Sequence, residues 1–350
     1  MQTFYIGENK INLNSPPFII AEMSANHNQS LERALQIVDA AAQAGVQAVK
    51  LQTSTPDGLT LDIDSEDFVI NDPKSLWNGQ RLYELYQKAH TPWDWHEPIF
   101  KKCEELGLIA FSTPFEEKAV DFLESLNVPC YKIASFESTD LPLIKKVAST
   151  GKPVIMSTGM ATVAEIDEAI RTFKYAGGTD VLLLKCTSTY PASPDDINLF
   201  TIPHMRELFG TEVGLSDHTL GVGVALASIA LGATVIEKHF TLCRSDGGVD
   251  SVFSMEPEEM RILVEESSRV RKALGHIQYG PTENEKESLR FRRSLYLAED
   301  MNNGDLFTSK NLRVIRPGYG LYPKYYEILL NKRINKSAKK GDPVTWDLIG

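Results

Sequence analysis

No apolar run in this 350-residue chain approaches the roughly 20 residues that a bilayer-spanning helix needs, which predicts a protein with no membrane segment. The opening MQTFYIGENKINL has neither the basic nor the apolar stretch of a secretory leader, so a cytoplasmic location is expected. Cysteine is scarce. Cys103, Cys130, Cys186 and Cys243 are widely spaced and form no C-x-x-C pair, which argues against a disulfide scaffold or a zinc knuckle and predicts buried, reduced thiols. Also missing is a G-x-G-x-x-G after the first strand-like run, the fingerprint of a dinucleotide-binding open sheet. Positive charge is in deficit: 36 Lys and Arg face 47 Asp and Glu, a net charge of −11 that argues against a nucleic-acid partner. The deficit is uneven. From residue 281 onward, 13 basic residues meet 9 acidic ones, against 23 and 38 before it, so the tail differs electrostatically from the body.

What the chain does have is alternation. Apolar, strand-like runs lie at 17–23, 46–52, 108–113, 130–135, 153–158, 181–186, 212–217 and 234–239. Between them come amphipathic runs such as 30–45, 116–126, 140–151 and 162–177, several ending in Gly as helix C-caps do. Eight such units over about 250 residues predict an α/β fold of the (β/α)8 TIM-barrel type. A polar break at 279–288 ends the pattern. The expected organisation is a barrel over 1–280, a linker over 281–290 and a small β-rich module over 291–350, rich in turns such as N-G-D and R-P-G-Y-G. A module that size is near the lower limit for an independent core and is expected to lean on the barrel or on a partner subunit.

Barrel chemistry sits at the C-terminal ends of strands, and here all eight ends are polar or charged. Among them are Glu22, Lys50, Gln52, Thr113, Lys132, Ser135, Ser188, Ser216, His218 and His239. His218 and His239 close consecutive strands joined by the apolar stretch GVGVALASIALGA, long enough for one crossover. Two neutral imidazoles brought together this way suit a divalent metal with open positions; the competing reading is a pair of satisfied, half-buried histidines. Lys50 and Lys132, with hydroxyls from Thr113, Ser135 and Ser216, form a receptor for phosphate or carboxylate. The same lysines can instead pair with Glu22 and Glu237. A desolvated barrel lysine also allows a Schiff-base aldolase as a minor alternative; the metal-like histidine pair argues the other way, because a Schiff base makes a Lewis acid redundant. Two loops border this rim: 53–79, whose Phe68, Ile70 and Trp77 predict an ordered lid, and 243–254, which carries Asp250.

The segments EMSANHN (22–28), VKLQT (49–53), FSTPF (111–115), YKIAS (131–135), STGM (157–160), KCTSTYP (185–191), GLSDHT (214–219), EKHF (237–240) and RPGYG (316–320) together resemble the sialic acid synthase family over essentially the whole chain. Within it, EMSANHNQ, LYELYQKAHTPWDWH (82–96) and YKIASFE are most similar to the pseudaminic acid synthases. The resemblance implies a barrel followed by an antifreeze-like SAF domain. It implies condensation of phosphoenolpyruvate with an open-chain amino sugar, 2,4-diacetamido-2,4,6-trideoxy-L-altrose for that branch. N-acetylneuraminate and legionaminate synthesis are the alternatives.

Carried over by motif, His218 and His239 hold a divalent metal, Mn²⁺ ahead of Mg²⁺ or Co²⁺. Lys50, Thr113, Lys132, Ser135, Ser188 and Ser216 bind phosphoenolpyruvate, although Ser188 stands where sialic acid synthases ordinarily carry Asn. Glu22 is the acid/base residue, and Gln52, Tyr190 and Asp250 contact the sugar. Arg316 reaches the site from the SAF domain of the other subunit in a domain-swapped homodimer. A non-enzymatic reading, with the module as an ice- or protein-binding unit on a barrel scaffold, leaves the charged strand ends without a purpose.

Overall fold

A computed structural model describes residues 4–350, which divide into two compact units, the first ending at Gly275 and the second spanning His276–Gly350. In the first unit, β1 (Phe4–Ile6) and β2 (Asn9–Ile11) pair as an antiparallel hairpin. Eight parallel strands follow: β3 (Phe18–Glu22), β4 (Ala48–Thr53), β5 (Ile109–Pro114), β6 (Tyr131–Ile133), β7 (Val154–Ser157), β8 (Val181–Cys186), β9 (Glu212–Ser216) and β10 (Val235–His239). They close into a barrel in which β10 returns to pair with β3. Each lies within one of the predicted runs, give or take a residue, so the expected (β/α)8 barrel is the fold.

The helices of this unit are α1 (Leu31–Ala44), α2 (Pro56–Leu59), α3 (Leu82–Ala89), α4 (His96–Glu105), α5 (Glu117–Ser125), α6 (Leu141–Ala148), α7 (Val163–Tyr175), α8 (Thr201–Phe209), α9 (Gly223–Ala230) and α10 (Pro257–Leu274). Their boundaries follow local chemistry. Ser30 accepts the Arg33 amide at the start of α1, and Gly45 ends that helix at φ +85°, where a side chain would be strained. Thr162 and Glu165 form a capping box at the start of α7.

The period-two alternation of a strand sorts residues into two cores. Ile19 and Ala21 of β3 pack outward with Ile37, Val38 and Ala41 of α1. Phe18 and Ile20 pack inward with Phe111, Ile155, Leu182, Leu184 and Val235. Phe4, Ile6 and Ile11 join that inner cluster, so the hairpin stoppers the N-terminal mouth of the barrel. None of the sequence-predicted elements corresponds to this hairpin: its strands are three residues long, too short for alternation to register. The inward series continues past the apolar layer. Two residues beyond Ile20, Ala48, Phe111, Cys130 and Val235 come Glu22, Lys50, Thr113, Lys132 and Glu237, and the interior turns polar at the C-terminal mouth.

The segment 53–79 is ordered, with α2, a single helical turn at Glu66–Phe68 and a bridge from Val69 to Arg81. Phe68, Ile70 and Trp77 are half-buried in it, and the Trp77 indole donates to the Val249 carbonyl at 3.0 Å.

In the second unit, β11 (Ser294–Leu297) and β12 (Leu312–Ile315) pair antiparallel, and isolated bridges from Tyr296, Met301, Leu306 and Ile334 extend the β structure. Its core contains Leu295, Leu297, Phe307, Leu312 and Val344, with one short helix, α11 (Tyr326–Leu329). The stretch expected as a linker, 281–290, carries a tightly wound helix over Glu283–Phe291. Its polar TENE start, which looks like a breaker, is a capping box: Thr282 and Glu285 satisfy each other's free amides. Among the described residues no helix is long and apolar enough to cross a membrane.

Candidate active site

The polar layer at the barrel mouth is a network of two lysines and two carboxylates, all buried. Lys50 pairs directly with Glu22 and donates to Thr113 Oγ1 at 3.0 Å. Glu237 Oε1 stands 4.0 Å from Lys50 Nζ, 3.9 Å from Lys132 Nζ and 3.3 Å from Ser216 Oγ. Lys132 also donates to Ser157 Oγ at 2.6 Å and to its neighbour's carbonyl at 3.0 Å. The lysines are thus compensated by carboxylates, as one sequence reading allowed, and they also lie with the predicted hydroxyls.

The two carboxylates are driven apart in acidity. Burial pushes Glu22 up to about 7, against the pull of Lys50 and with the help of Glu237. Glu237 is buried as deeply, but Lys132 and Lys50 together outweigh burial and hold it below the usual carboxylate value. Burial works against the Lys50 ammonium too, yet Glu22 and Glu237 prevail and raise it; at Lys132 burial prevails and lowers it. Glu22 is therefore the group of this network able to exchange a proton near neutral pH.

Beside Lys132, Ser135 Oγ accepts the Gly159 amide at 3.1 Å. A Cβ at Gly159 would lie 2.8 Å from Ser135 Oγ and 2.2 Å from Ser188 Oγ, so the two hydroxyls and the bare glycine backbone face one space. Only a glycine leaves that space open.

His218 and His239 do come together, with ring centroids 5.3 Å apart. His218 Nδ1 lies 2.9 Å from the Thr187 carbonyl, which can only accept, so Nδ1 carries a proton. Burial lowers the imidazole's pKa, but Cys186 Sγ, 3.9 Å away, and that carbonyl outweigh it and raise it, so Nε2 offers a lone pair once it gives up its own proton. Burial, followed by the nearby His218 and Lys50, holds the His239 imidazole well below its ordinary pKa and keeps it neutral. Its Nδ1 is buried with no hydrogen-bond partner, and Asp250 Oδ2 is 3.9 Å away. Tyr190 packs 4.5 Å from the His218 ring and Phe253 4.8 Å from the His239 ring. An orphaned buried nitrogen beside an imidazole whose Nδ1 is already engaged by a carbonyl fits a divalent cation. No three His, Cys, Asp or Glu side chains among the described residues converge as a closed ligand set, so water or substrate would complete the coordination of such an ion.

Behind this pair lies a buried clamp. Lys238 and Asp217, one residue before His239 and His218 respectively, face away from the barrel interior and pair at 2.8 Å. Lys238 also donates to the carbonyls of Thr219 and Gly221, and Asp217 accepts the Thr219 amide and hydroxyl. Strand alternation thus separates polar strand ends that the sequence alone leaves grouped.

Outside the charged layer is a cavity of about 340 Å³, lined on its polar side by Ser24, Gln52, Glu137, Tyr190, His239 and Asp250. Gln52 donates to Ser24 Oγ at 3.0 Å, and Ser24 hydrogen-bonds to Asp250. Glu137, which burial pushes up to about 7, was not among the sequence candidates. It lies just beyond β6, and the acidic end of YKIASFE was the signal for it. Of the predicted residues, Arg316 alone belongs to the second unit, directly after β12, with its side chain exposed.

Residues 37–279 match the NeuB family and residues 292–350 the SAF domain. Over 331 residues the chain is 44% identical to the pseudaminic acid synthase of Campylobacter jejuni, covering 95% of this chain and 96% of that one. It is 36% identical to the N,N'-diacetyllegionaminic acid synthase of the same organism, over 93% of this chain and 97% of the relative. Among solved structures, the N-acetylneuraminic acid synthetase of Leptospira borgpetersenii superposes with a TM-score of 0.73 at 32% identity, covering 83% of this chain and 96% of that one. The family resemblance drawn from the motifs holds: with its charged barrel mouth and its C-terminal SAF domain, the chain belongs to the NeuB family.

Proposed function

We propose that this chain is a pseudaminic acid synthase, condensing phosphoenolpyruvate with 2,4-diacetamido-2,4,6-trideoxy-L-altrose to give pseudaminic acid and phosphate. The observation that carries the reading is the 44% identity to the Campylobacter jejuni pseudaminic acid synthase, against 36% to the legionaminic acid synthase of the same organism, each over more than nine-tenths of the chain. The site is consistent with it: cations and hydroxyls for an anion lie deep, and a mixed cavity for a sugar lies above them.

In this reading Lys50 and Lys132, with the hydroxyls of Thr113, Ser135, Ser188 and Ser216, receive the phosphate and carboxylate of phosphoenolpyruvate. Gln52, Tyr190 and Asp250 orient the open-chain sugar so that its aldehyde carbon meets C3 of phosphoenolpyruvate. A divalent metal held by His218 and His239, Mn²⁺ first among candidates, would supply Lewis-acid polarisation of the aldehyde. The C3–C1 bond forms and the aldehyde oxygen takes a proton. Water then adds at C2, and the C2–O bond to phosphate breaks, leaving the 2-keto acid. Glu22, whose proton is exchangeable near neutral pH, manages the proton of that water.

The working unit in this proposal is a homodimer in which Arg316 of one subunit reaches the barrel of the other. Mixing His239→Ala with Arg316→Ala subunits then restores part of the activity, and verified heterodimers without recovery would rule it out.

The reaction is tested by phosphate release from phosphoenolpyruvate with three acceptors: the altrose-configured diacetamido sugar, the legionaminic precursor and N-acetylmannosamine. The first is expected to be preferred. Preference for either of the others assigns the chain to a different acceptor.

A further inference from the structure

The cavity at the barrel mouth has two unlike halves, and they come from different parts of the chain. The polar half is built by strand ends and the loops directly after them, through residues such as Gln52, His239 and Asp250. The apolar half is built mainly by the single excursion between β4 and β5, which contributes Leu59, Ile70, Trp77, Leu82, Leu85 and Tyr86.

This wall is held in place. Leu82, Leu85 and Tyr86 sit on α3 at i, i+3 and i+4, so one face of the helix turns all three toward the cavity. Trp77 is tied to the loop after β10 by its indole bond to the Val249 carbonyl, and its ring lies 5.8 Å from that of Tyr190. Since the indole N–H is already used, the Tyr86 hydroxyl is the one side-chain polar group these six residues have left for a ligand; Ser54 and His90, at the two ends of the wall, are the other polar groups the excursion brings to the cavity. A sugar hydroxyl turned toward the wall gives up water and gains little in return, whereas a methyl group there loses nothing and gains contact.

We infer that the β4–β5 excursion is the specificity element of this enzyme: its apolar wall selects acceptors with a methyl where a common hexose carries its C6 hydroxyl, and seats the methyl groups of the acetamido substituents. The inference rests on the proposed reaction, whose chemistry belongs to the other half of the cavity. Chemistry is assigned to the barrel and choice of sugar to an inserted segment, so one can change without the other.

The test uses the full-length enzyme with Ile70→Asn and Leu82→Gln made singly. Phosphate release is followed at saturating phosphoenolpyruvate with the altrose-configured diacetamido trideoxy sugar and with its 6-hydroxy analogue. In the variants the kcat/KM ratio of deoxy to hydroxy sugar falls about tenfold to a hundredfold, mainly through the KM of the sugar. The KM for phosphoenolpyruvate stays as it was. An unchanged ratio, or a phosphoenolpyruvate KM that rises in step with that of the sugar, overturns the inference. Ile70→Thr, closer in shape, replaces either variant if it does not fold and is read by the same ratio. If the wild-type enzyme releases no phosphate with the deoxy sugar, the proposed reaction fails and takes the inference with it. If it does, and the variants keep the ratio, the inference alone fails.

Discussion

Lys238 and Asp217 form an ion pair with no solvent exposure of either side chain, and each is the chain neighbour of one of the two converging imidazoles. A charge pair buried to this extent stabilises little by itself, but removing one partner strands the other. Lys238→Met therefore lowers the unfolding free energy by about 3–5 kcal/mol in a urea titration, and Lys238→Met with Asp217→Leu recovers only the part due to the stranded charge, because the Thr219 and Gly221 groups stay without partners. A single variant as stable as the parent would show that the pair does not brace the 217–221 loop.

The second prediction concerns acid. His27 and His96 are fully buried and bonded in the neutral form, His27 to Thr91 Oγ1 at 3.2 Å and His96 to Thr53 Oγ1 at 2.7 Å. Burial lowers both from 6.5 to about 4, with His90 adding to the effect at His27. In the unfolded chain they take up protons at higher pH than in the folded one. Their contribution is thus complete above about 6.5 and is lost as pH falls toward 4, roughly 3 kcal/mol for each histidine. Denaturant midpoints measured across that window are expected to drop, and His27→Gln to flatten part of the slope.

Gly159→Ala tests the hydroxyl cradle. The added methyl meets the serine hydroxyls of residues 188 and 135, which can turn away by rotating about χ1, and Ser135 Cβ at 3.1 Å, which must give by a few tenths of an ångström, so the cost to the fold stays within about 1–3 kcal/mol. Turned away, they no longer face the anion space. The rise in melting temperature produced by phosphoenolpyruvate is expected to shrink strongly or vanish, while the unliganded protein melts a few degrees lower.

Metal removal gives the fourth. Chelator abolishes phosphate release, Mn²⁺ restores it, and His218→Ala is not restored by added metal. Full activity in chelator would remove the Lewis-acid role from the scheme.

Much of this architecture was readable from the chain because barrel strands are apolar runs with polar ends, and the runs at 17–23 and 234–239 already carry Glu22 and His239. The sequence could not tell which polar ends face inward. Lys50 and Lys238 look alike in VKLQ and EKHF, yet one joins the central network and the other clamps a loop from behind, a distinction that depends on strand register. Glu137 escaped notice because it lies one turn past its strand rather than at its end. The helices α3 and α4 went unassigned because the β4–β5 excursion, which runs from Ser54 to Leu108, breaks the short-loop rhythm of the other units; only its first part was read, as a lid.

The N-terminal hairpin makes the barrel a blind well. Among the described residues, Phe4, Ile6 and Ile11 fill its floor, so traffic passes by the C-terminal mouth, and depth becomes a queue. On the proposed assignments, an anion at Lys50 lies one inward step below a sugar at Gln52, two residues further along the same strand, and it is on those assignments that the order of entry follows. The deeper guest must enter first, and it cannot leave while the upper one stays. A non-reacting mimic of the sugar would therefore not displace the anion but imprison it.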